Sequence, residues 1–149
     1  MNILIIEDDD YKLERIKSFA SSELGNPIIS TSESLKEALE AIANETFDLI
    51  FVDMAIPSHP TIAGQGTPVS FNTGGLEVIM ELSALGRNDP CIIITQYPDI
   101  EISGEYIPIS AVKKALPLLL ECEVAACVLY EEDSDSWKIE LQEVFKELF

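Results

Sequence analysis

The segment Phe47-Asp-Leu-Ile-Phe-Val-Asp-Met-Ala-Ile-Pro57 restricts the possible folds more than any other part of the chain. Four consecutive apolar residues, Leu49 to Val52, predict a strand buried on both faces, as in a parallel sheet with helices on either side. The strand runs directly into the carboxylate of Asp53. In open parallel sheets, ligands sit at the carboxyl ends of the strands. The chain begins with a second run of this kind, Met1-Asn-Ile-Leu-Ile-Ile, which ends in Glu7-Asp8-Asp9-Asp10. Placed side by side and parallel, the two strands bring Glu7, Asp8 and Asp53 to one end of the sheet. Three carboxylates that close together repel and raise one another's pKa unless a cation joins them. An all-oxygen donor set that leaves room for waters suits Mg²⁺.

Size and composition narrow the function class. The 149 residues fit a single domain, and 47% hydrophobic residues suffice for a core. The net charge of −18 argues against nucleic acid and anionic membrane surfaces, which select basic patches. No apolar run has the length of a membrane span, and no basic leader precedes the first strand. Cys91, Cys122 and Cys127 are odd in number and lack a metal-type spacing, and Cys91 and Cys127 are expected in buried strands. These features predict a reduced, cytoplasmic, acidic globular domain.

In chain order, Asp9 or Asp10 is expected to cap a helix whose inner face carries Leu13, Ile16, Phe19, Ala20 and Leu24, ended by Gly25-Asn26-Pro27. Ile28-Ile29-Ser-Thr forms a short strand. Ser32 or Ser34 caps a second helix with Leu35, Ala38, Leu39 and Ile42 in one stripe. After Pro57 comes a Gly-, Pro-, Ser- and Thr-rich inserted loop at about 58–74, long enough to suggest a functional role. A third helix turns Leu76, Ile79, Leu82 and Leu85 inward and stops at Gly86. Cys91–Thr95 is a fourth buried strand, and Gln96–Pro108 has no regular pattern. Ser110 is expected to cap a helix that Pro117 kinks or restarts. Ala125–Tyr130 is a fifth strand. Asp133 or Ser134 caps the last helix, with Trp137, Leu141, Val144, Phe145 and Leu148 inward. Five strands alternating with five helices predict a doubly wound α/β sandwich built on a parallel sheet.

With these elements placed, the chain resembles the response-regulator receiver domain over nearly its whole length. The carriers are Ile3-Leu-Ile-Ile-Glu-Asp-Asp9, the segment Phe47–Pro57, Gly74-Gly75-Leu76-Glu77 and Ile92-Ile-Ile-Thr95. The resemblance implies a CheY-like, flavodoxin-like three-layer sandwich with strand order 2-1-3-4-5. It implies a signalling module and not an enzyme: Asp53 accepts a phosphoryl group from a histidine kinase or phosphotransfer protein, and a downstream protein partner is docked without an attached output domain. It places Mg²⁺ on Glu7, Asp8, Asp53 and the backbone carbonyl of Ala55, and gives the Thr95 hydroxyl one phosphoryl oxygen.

The chain also departs from the pattern. Tyr130 stands where receivers carry a lysine, Glu131 replaces the proline that follows, and Cys127 takes the place of an aromatic residue. A charge-assisted hydrogen bond is worth about 1.5–3 kcal/mol, so losing that lysine weakens the hold on a phosphoryl group. Glu131, Glu132 and Asp133 add negative charge, and Gln96 stands where a small residue is usual and is expected to crowd the pocket. Lys113, Lys114 and His59 are expected to be solvated surface residues. The alternative function is a phosphorylation-independent pseudo-receiver serving as a protein-interaction module. A haloacid-dehalogenase-like phosphohydrolase is disfavoured, because Ala55 replaces the second aspartate that chemistry requires.

Overall fold

Every second residue of a strand faces the same side, and here both sides are apolar. In the computed structural model, which describes residues 1–59, 70–71 and 74–149, this alternation feeds two separate cores. The elements in order are β1 (Asn2–Ile6), α1 (Asp10–Glu23), β2 (Ile28–Ser32), α2 (Leu35–Asn44), β3 (Leu49–Val52), β4 (Ile56–Pro57), β5 (Ser70–Phe71), α3 (Gly74–Ala84), β6 (Cys91–Thr95), β7 (Asp99–Ile102), β8 (Glu105–Pro108), α4 (Ile109–Leu119), β9 (Ala126–Leu129) and α5 (Ser136–Leu148). Five of the strands form a parallel sheet in the order β2-β1-β3-β6-β9. Counted among themselves, they run 2-1-3-4-5, the order expected.

Ile3, Ile5, Leu49, Phe51, Ile92, Ile94 and Val128 pack against α1 and α5, around Phe19, Trp137, Leu141 and Phe145. Their neighbours Leu4, Ile6, Ile50, Val52 and Ile93 pack against α2, α3 and α4. Trp137 is fully buried, edge-on to Phe19 at 5.5 Å and tilted against Tyr130 at 5.4 Å.

Local chemistry decides the helix ends. Asp9, not Asp10, caps α1, accepting the Lys12 backbone N–H at 3.0 Å. Ser34, not Ser32, caps α2, accepting from the Glu37 N–H at 3.2 Å. Two expected caps are displaced. Pro108 precedes α4 in place of Ser110, and Asp135 precedes α5 in place of Asp133 or Ser134, neither with a side-chain cap bond. Pro117 does not restart α4, which continues to Leu119.

Further differences follow from tertiary packing. Leu85 is 49% exposed, because α3 ends at Ala84 and the chain turns away before Gly86. Cys127 is half-buried, on an edge strand, whereas Cys91 lies in the interior strand β6 and is fully enclosed. Gln96–Pro108, which shows no regular pattern in the sequence, contains the antiparallel β7–β8 hairpin. Its turn is Ser103-Gly104, with φ of 52° and 82°, the two left-handed positions of a type I′ turn. Ile100 and Ile102 alternate inward from the hairpin onto α4. Of the inserted loop, Ser70–Phe71 pairs with Ile56–Pro57, and α3 begins at Gly74; residues 60–69 and 72–73 lie outside the described residues.

The end of the sheet remote from Asp53 is fastened by Arg87. It donates to both oxygens of Asp89 (2.8 and 2.6 Å) and to the carbonyls of Ile42 and Glu45, while Asp89 also accepts the Phe47 N–H at 2.7 Å.

Truncating Trp137 to Ala empties the centre of the α1/α5 core, and urea denaturation should show a loss of about 3–5 kcal/mol.

Candidate functional site

The carboxyl ends of β1 and β3 place the acidic residues, and sheet-type hydrogen bonds hold them there. The Asp53 N–H donates to the Ile6 carbonyl at 3.1 Å, and the Glu7 N–H to the Ser32 carbonyl at 2.9 Å. Each residue is therefore pinned as an extension of its strand. One carboxylate oxygen each from Glu7, Asp8 and Asp53 lie within 4.8 Å of one another, the only such gathering of His, Cys, Asp or Glu among the described residues. Glu7 and Asp53 are buried, and Asp8 is open to solvent. Ala55 is half-buried two residues further on.

Gly75 makes this corner possible. A Cβ on it would collide with the Asp53 carbonyl oxygen and the Met54 side chain, and one on Gly74 would lie 2.6 Å from Ile56 Cγ1. The Gly75 N–H instead donates to the Met54 carbonyl at 3.0 Å. The start of α3 thus packs directly on the backbone that carries Asp53.

The site has a cation of its own, and it comes from a residue that the sequence reading passed over. Lys12, in the first turn of α1, is only 3% exposed. Its Nζ lies 2.7 Å from Glu7 Oε1 and 3.4 Å from Asp53 Oδ1, and it donates to the Ile94 carbonyl at 2.9 Å and to Gln96 Oε1 at 3.4 Å. Neither carboxylate oxygen accepts a well-directed hydrogen bond, so both have ion-pair attraction but unused acceptor capacity. The sequence does carry a trace of Lys12: it precedes Ile16 by four residues and Phe19 by seven, which puts a charged side chain on the apolar stripe of the helix. Lys113 and Lys114 are exposed on α4, as expected.

Burial is the main influence on the charge state of Glu7. It is the largest influence raising the Glu7 pKa, outweighing the Lys12 ammonium, and the neighbouring Asp53 charge adds to it; the result is about 8. Asp8 is raised as well, mainly because the side of its carboxylate that faces the cluster is desolvated, though the residue is open to solvent on the other. Crowded, under-solvated oxygen donors of this kind fit a hard divalent cation.

Tyr130, at the end of β9, is buried against Trp137. Its hydroxyl accepts a hydrogen bond from Arg15 Nη1 at 2.9 Å, and Lys12 Nζ stands 5.3 Å from its ring centroid. Arg15 also donates to the Glu132 carbonyl (3.0 Å) and to Asp135 (3.3 Å), bracing the acidic loop after β9. Thr95 is fully buried at the end of β6, its Oγ1 accepting the Tyr97 N–H at 3.4 Å. Gln96 does not crowd the pocket; it is exposed and accepts from Lys12. His59 is exposed and hydrogen-bonded to Ser58 Oγ at 2.9 Å.

A parallel 2-1-3-4-5 sheet with an acidic cluster at the ends of its first and third strands defines a receiver domain. The chain matches the response regulator receiver domain family over residues 3–114, and it belongs to that family, whose members serve two-component signalling. Among particular relatives, it is 36% identical over 151 residues to the Detocs response regulatory protein DtcB of Vibrio alginolyticus, covering 97% of this chain and 99% of that protein. A second protein of that name, from Enterobacter cloacae (strain JD6301), is 26% identical, covering 99% of this chain and 100% of its own length. Similar solved structures include a CheY-like response regulator receiver domain from Methylobacillus flagellatus (TM-score 0.60, 17% identity, covering 100% of this chain and 98% of that one). Another is a signal receiver domain from Clostridium thermocellum (TM-score 0.65, 20% identity, 99% and 95% covered). At those identities the structures speak to the fold alone.

Gly75→Ala forces a methyl group into the Asp53–Met54 backbone. Chemical denaturation should register a loss of about 1–3 kcal/mol, the usual cost of overpacking.

Proposed function

We propose that this receiver accepts a phosphoryl group on Asp53 from a histidine kinase or phosphotransfer protein in the cytoplasm and passes the signal on by docking a partner protein. The observation that carries this reading is the convergence of Glu7, Asp8 and Asp53 within 4.8 Å at the carboxyl end of the sheet, in a chain of this family. Glu7, Asp8, Asp53 and the Ala55 backbone carbonyl would hold Mg²⁺. When bound, the ion neutralises charge on the carboxylates and the incoming phosphoryl oxygens.

The residues of the chain do the rest by positioning. Asp53, pinned through its backbone, presents a carboxylate oxygen as nucleophile. Thr95, buried at the end of the neighbouring strand β6, offers its hydroxyl to one phosphoryl oxygen. Tyr130 brings no cation; its hydroxyl is engaged by Arg15 and its ring closes the α1/α5 core. The DtcB relatives are matched over 99% and 100% of their own length. This supports a receiver that acts without an attached output domain, in the role of a Detocs response regulatory protein.

The competing reading is a pseudo-receiver that only binds a partner. It rests on Tyr130 and on the exposed Glu131, Glu132 and Asp133. Its premise, a site lacking a cationic side chain, is weakened by Lys12.

Incubated with acetyl phosphate and Mg²⁺, the protein should gain the mass of one phosphoryl group, and Asp53→Asn should not. An unchanged mass in the native chain favours the pseudo-receiver.

A pH dependence follows from Glu7. Its pKa is raised on folding, so the folded protein binds the extra proton, and metal-free stability falls as pH rises from about 4.5 to about 8. Mg²⁺ binds the ionised form. Adding Mg²⁺ should therefore raise the melting temperature more above pH 8 than at pH 6, and equal shifts at the two would contradict the placement of the ion on Glu7.

A further inference from the structure

We propose that Lys12, from the first turn of α1, is the cation that meets the phosphoryl group on Asp53, doing from a helix what the lysine at the Tyr130 position would do from the sheet. The inference rests on the phospho-acceptor reading of Asp53 and assigns that site its charge-stabilising side chain.

The location of Lys12 calls for an explanation. Lysine is almost never fully buried without a partner. A cation in the first turn of a helix also works against the helix dipole, which favours negative charge there. Both penalties are accepted where the ammonium answers specific carboxylates. Among the described residues, Lys12 is the only side-chain cation within 4 Å of the Asp53 carboxylate. Alternation along β1 and β3 turns Glu7 and Asp53 toward α1, the face that Ile3, Ile5, Leu49 and Phe51 also occupy. Lys12 approaches from that same face. The Asp9 cap fixes the first turn of the helix, and the Ile94 carbonyl fixes the ammonium at 2.9 Å.

Tyr130 completes the arrangement. Its ring fills the space beside Lys12 Nζ, and Arg15 holds its hydroxyl outward, so a single cation faces Asp53 from this side. The bland alternative is that Lys12 is only a counter-ion for Glu7, to which it lies closer (2.7 Å against 3.4 Å for Asp53). The two roles differ once phosphoryl transfer begins. An Asp53 carboxylate oxygen attacks phosphorus, an O–P bond forms, and the P–O bond to the acetyl group breaks with its electron pair leaving on acetate. The total charge is unchanged, but a dianionic phosphoryl group now stands beside Lys12, which gives up no proton. Lys12 needs only to pivot from Glu7 toward the new oxygens.

The test follows the rate of mass gain from acetyl phosphate, the lifetime of the phosphorylated protein and Mg²⁺ affinity, in native chain, Lys12→Met, Lys12→Gln and Lys12→Met/Tyr130→Lys. The expected result is a rate about 10–100-fold lower in both single variants, the value of a charge-assisted hydrogen bond, with Mg²⁺ still bound. Part of the rate should return when Tyr130→Lys supplies a cation from the strand. A counter-ion for Glu7 alone would alter Mg²⁺ affinity and melting temperature and leave the rate and the double variant's recovery flat, which overturns the proposal. Circular dichroism establishes folding; if Lys12→Met fails to fold, the polar Lys12→Gln decides. No label on the native chain removes the Asp53 reading and this inference with it. Label on the native chain with an undiminished rate in the single variants removes this inference alone.

Discussion

Two buried carboxylates, a third at the surface and one buried ammonium share the carboxyl end of the sheet, and the local structure around them answers to that concentration of charge. Glu7 and Asp53 lie at the termini of adjacent parallel strands because β1 and β3 pair in register, Ile6 opposite Val52. Burying one ion without a partner costs several kcal/mol, and an ion pair recovers this only with good geometry and additional hydrogen bonds. Lys12 meets that condition in part, through the Ile94 carbonyl and Gln96. What remains is unused acceptor capacity on Glu7 Oε1 and Asp53 Oδ1, a donor set that fits a hard divalent cation.

The surrounding fold is arranged to keep this corner rigid. Apolar side chains on both faces of the sheet separate two cores. The α1/α5 core carries Lys12 and Tyr130 at its rim, and the other core carries the hairpin and α4. Gly74 and Gly75 let α3 settle onto the Asp53 backbone. At the far end, Arg87 and Asp89 tie α2 to the entries of β3 and β6. The aromatic cluster of Phe19, Tyr130, Trp137 and Phe145 supplies the mass against which Arg15 and Lys12 lie.

Legibility varied with how local the deciding physics was. The runs at Leu49–Val52 and Cys91–Thr95 declared themselves because a two-faced burial demand leaves only apolar residues. The acids at residues 7, 8 and 53 were readable for the same reason, as charges interrupting such runs. The β7–β8 hairpin was missed although Ile100 and Ile102 alternate and Ser103-Gly104 is a turn pair, because a four-residue strand carries little periodicity. Leu85 fits the helical stripe in sequence but lies beyond the last turn of α3, whose end depends on tertiary packing. Pro117 removes its own bond to the Lys113 carbonyl, yet α4 runs on to Leu119, its last turn closed by the Leu120 N–H donating to the Leu116 carbonyl.

From its residues alone, this chain determined a doubly wound parallel sheet and the acids at its carboxyl end, since both are written in burial patterns that act over a few neighbouring positions. Tertiary structure decided where the positive charge stands. Between Lys12 and Asp53 lie forty positions of chain, and only the docking of α1 on the sheet brings ammonium and carboxylate within 3.4 Å. That proximity depends on helix placement and on an aromatic ring at Tyr130, and no local pattern encodes either.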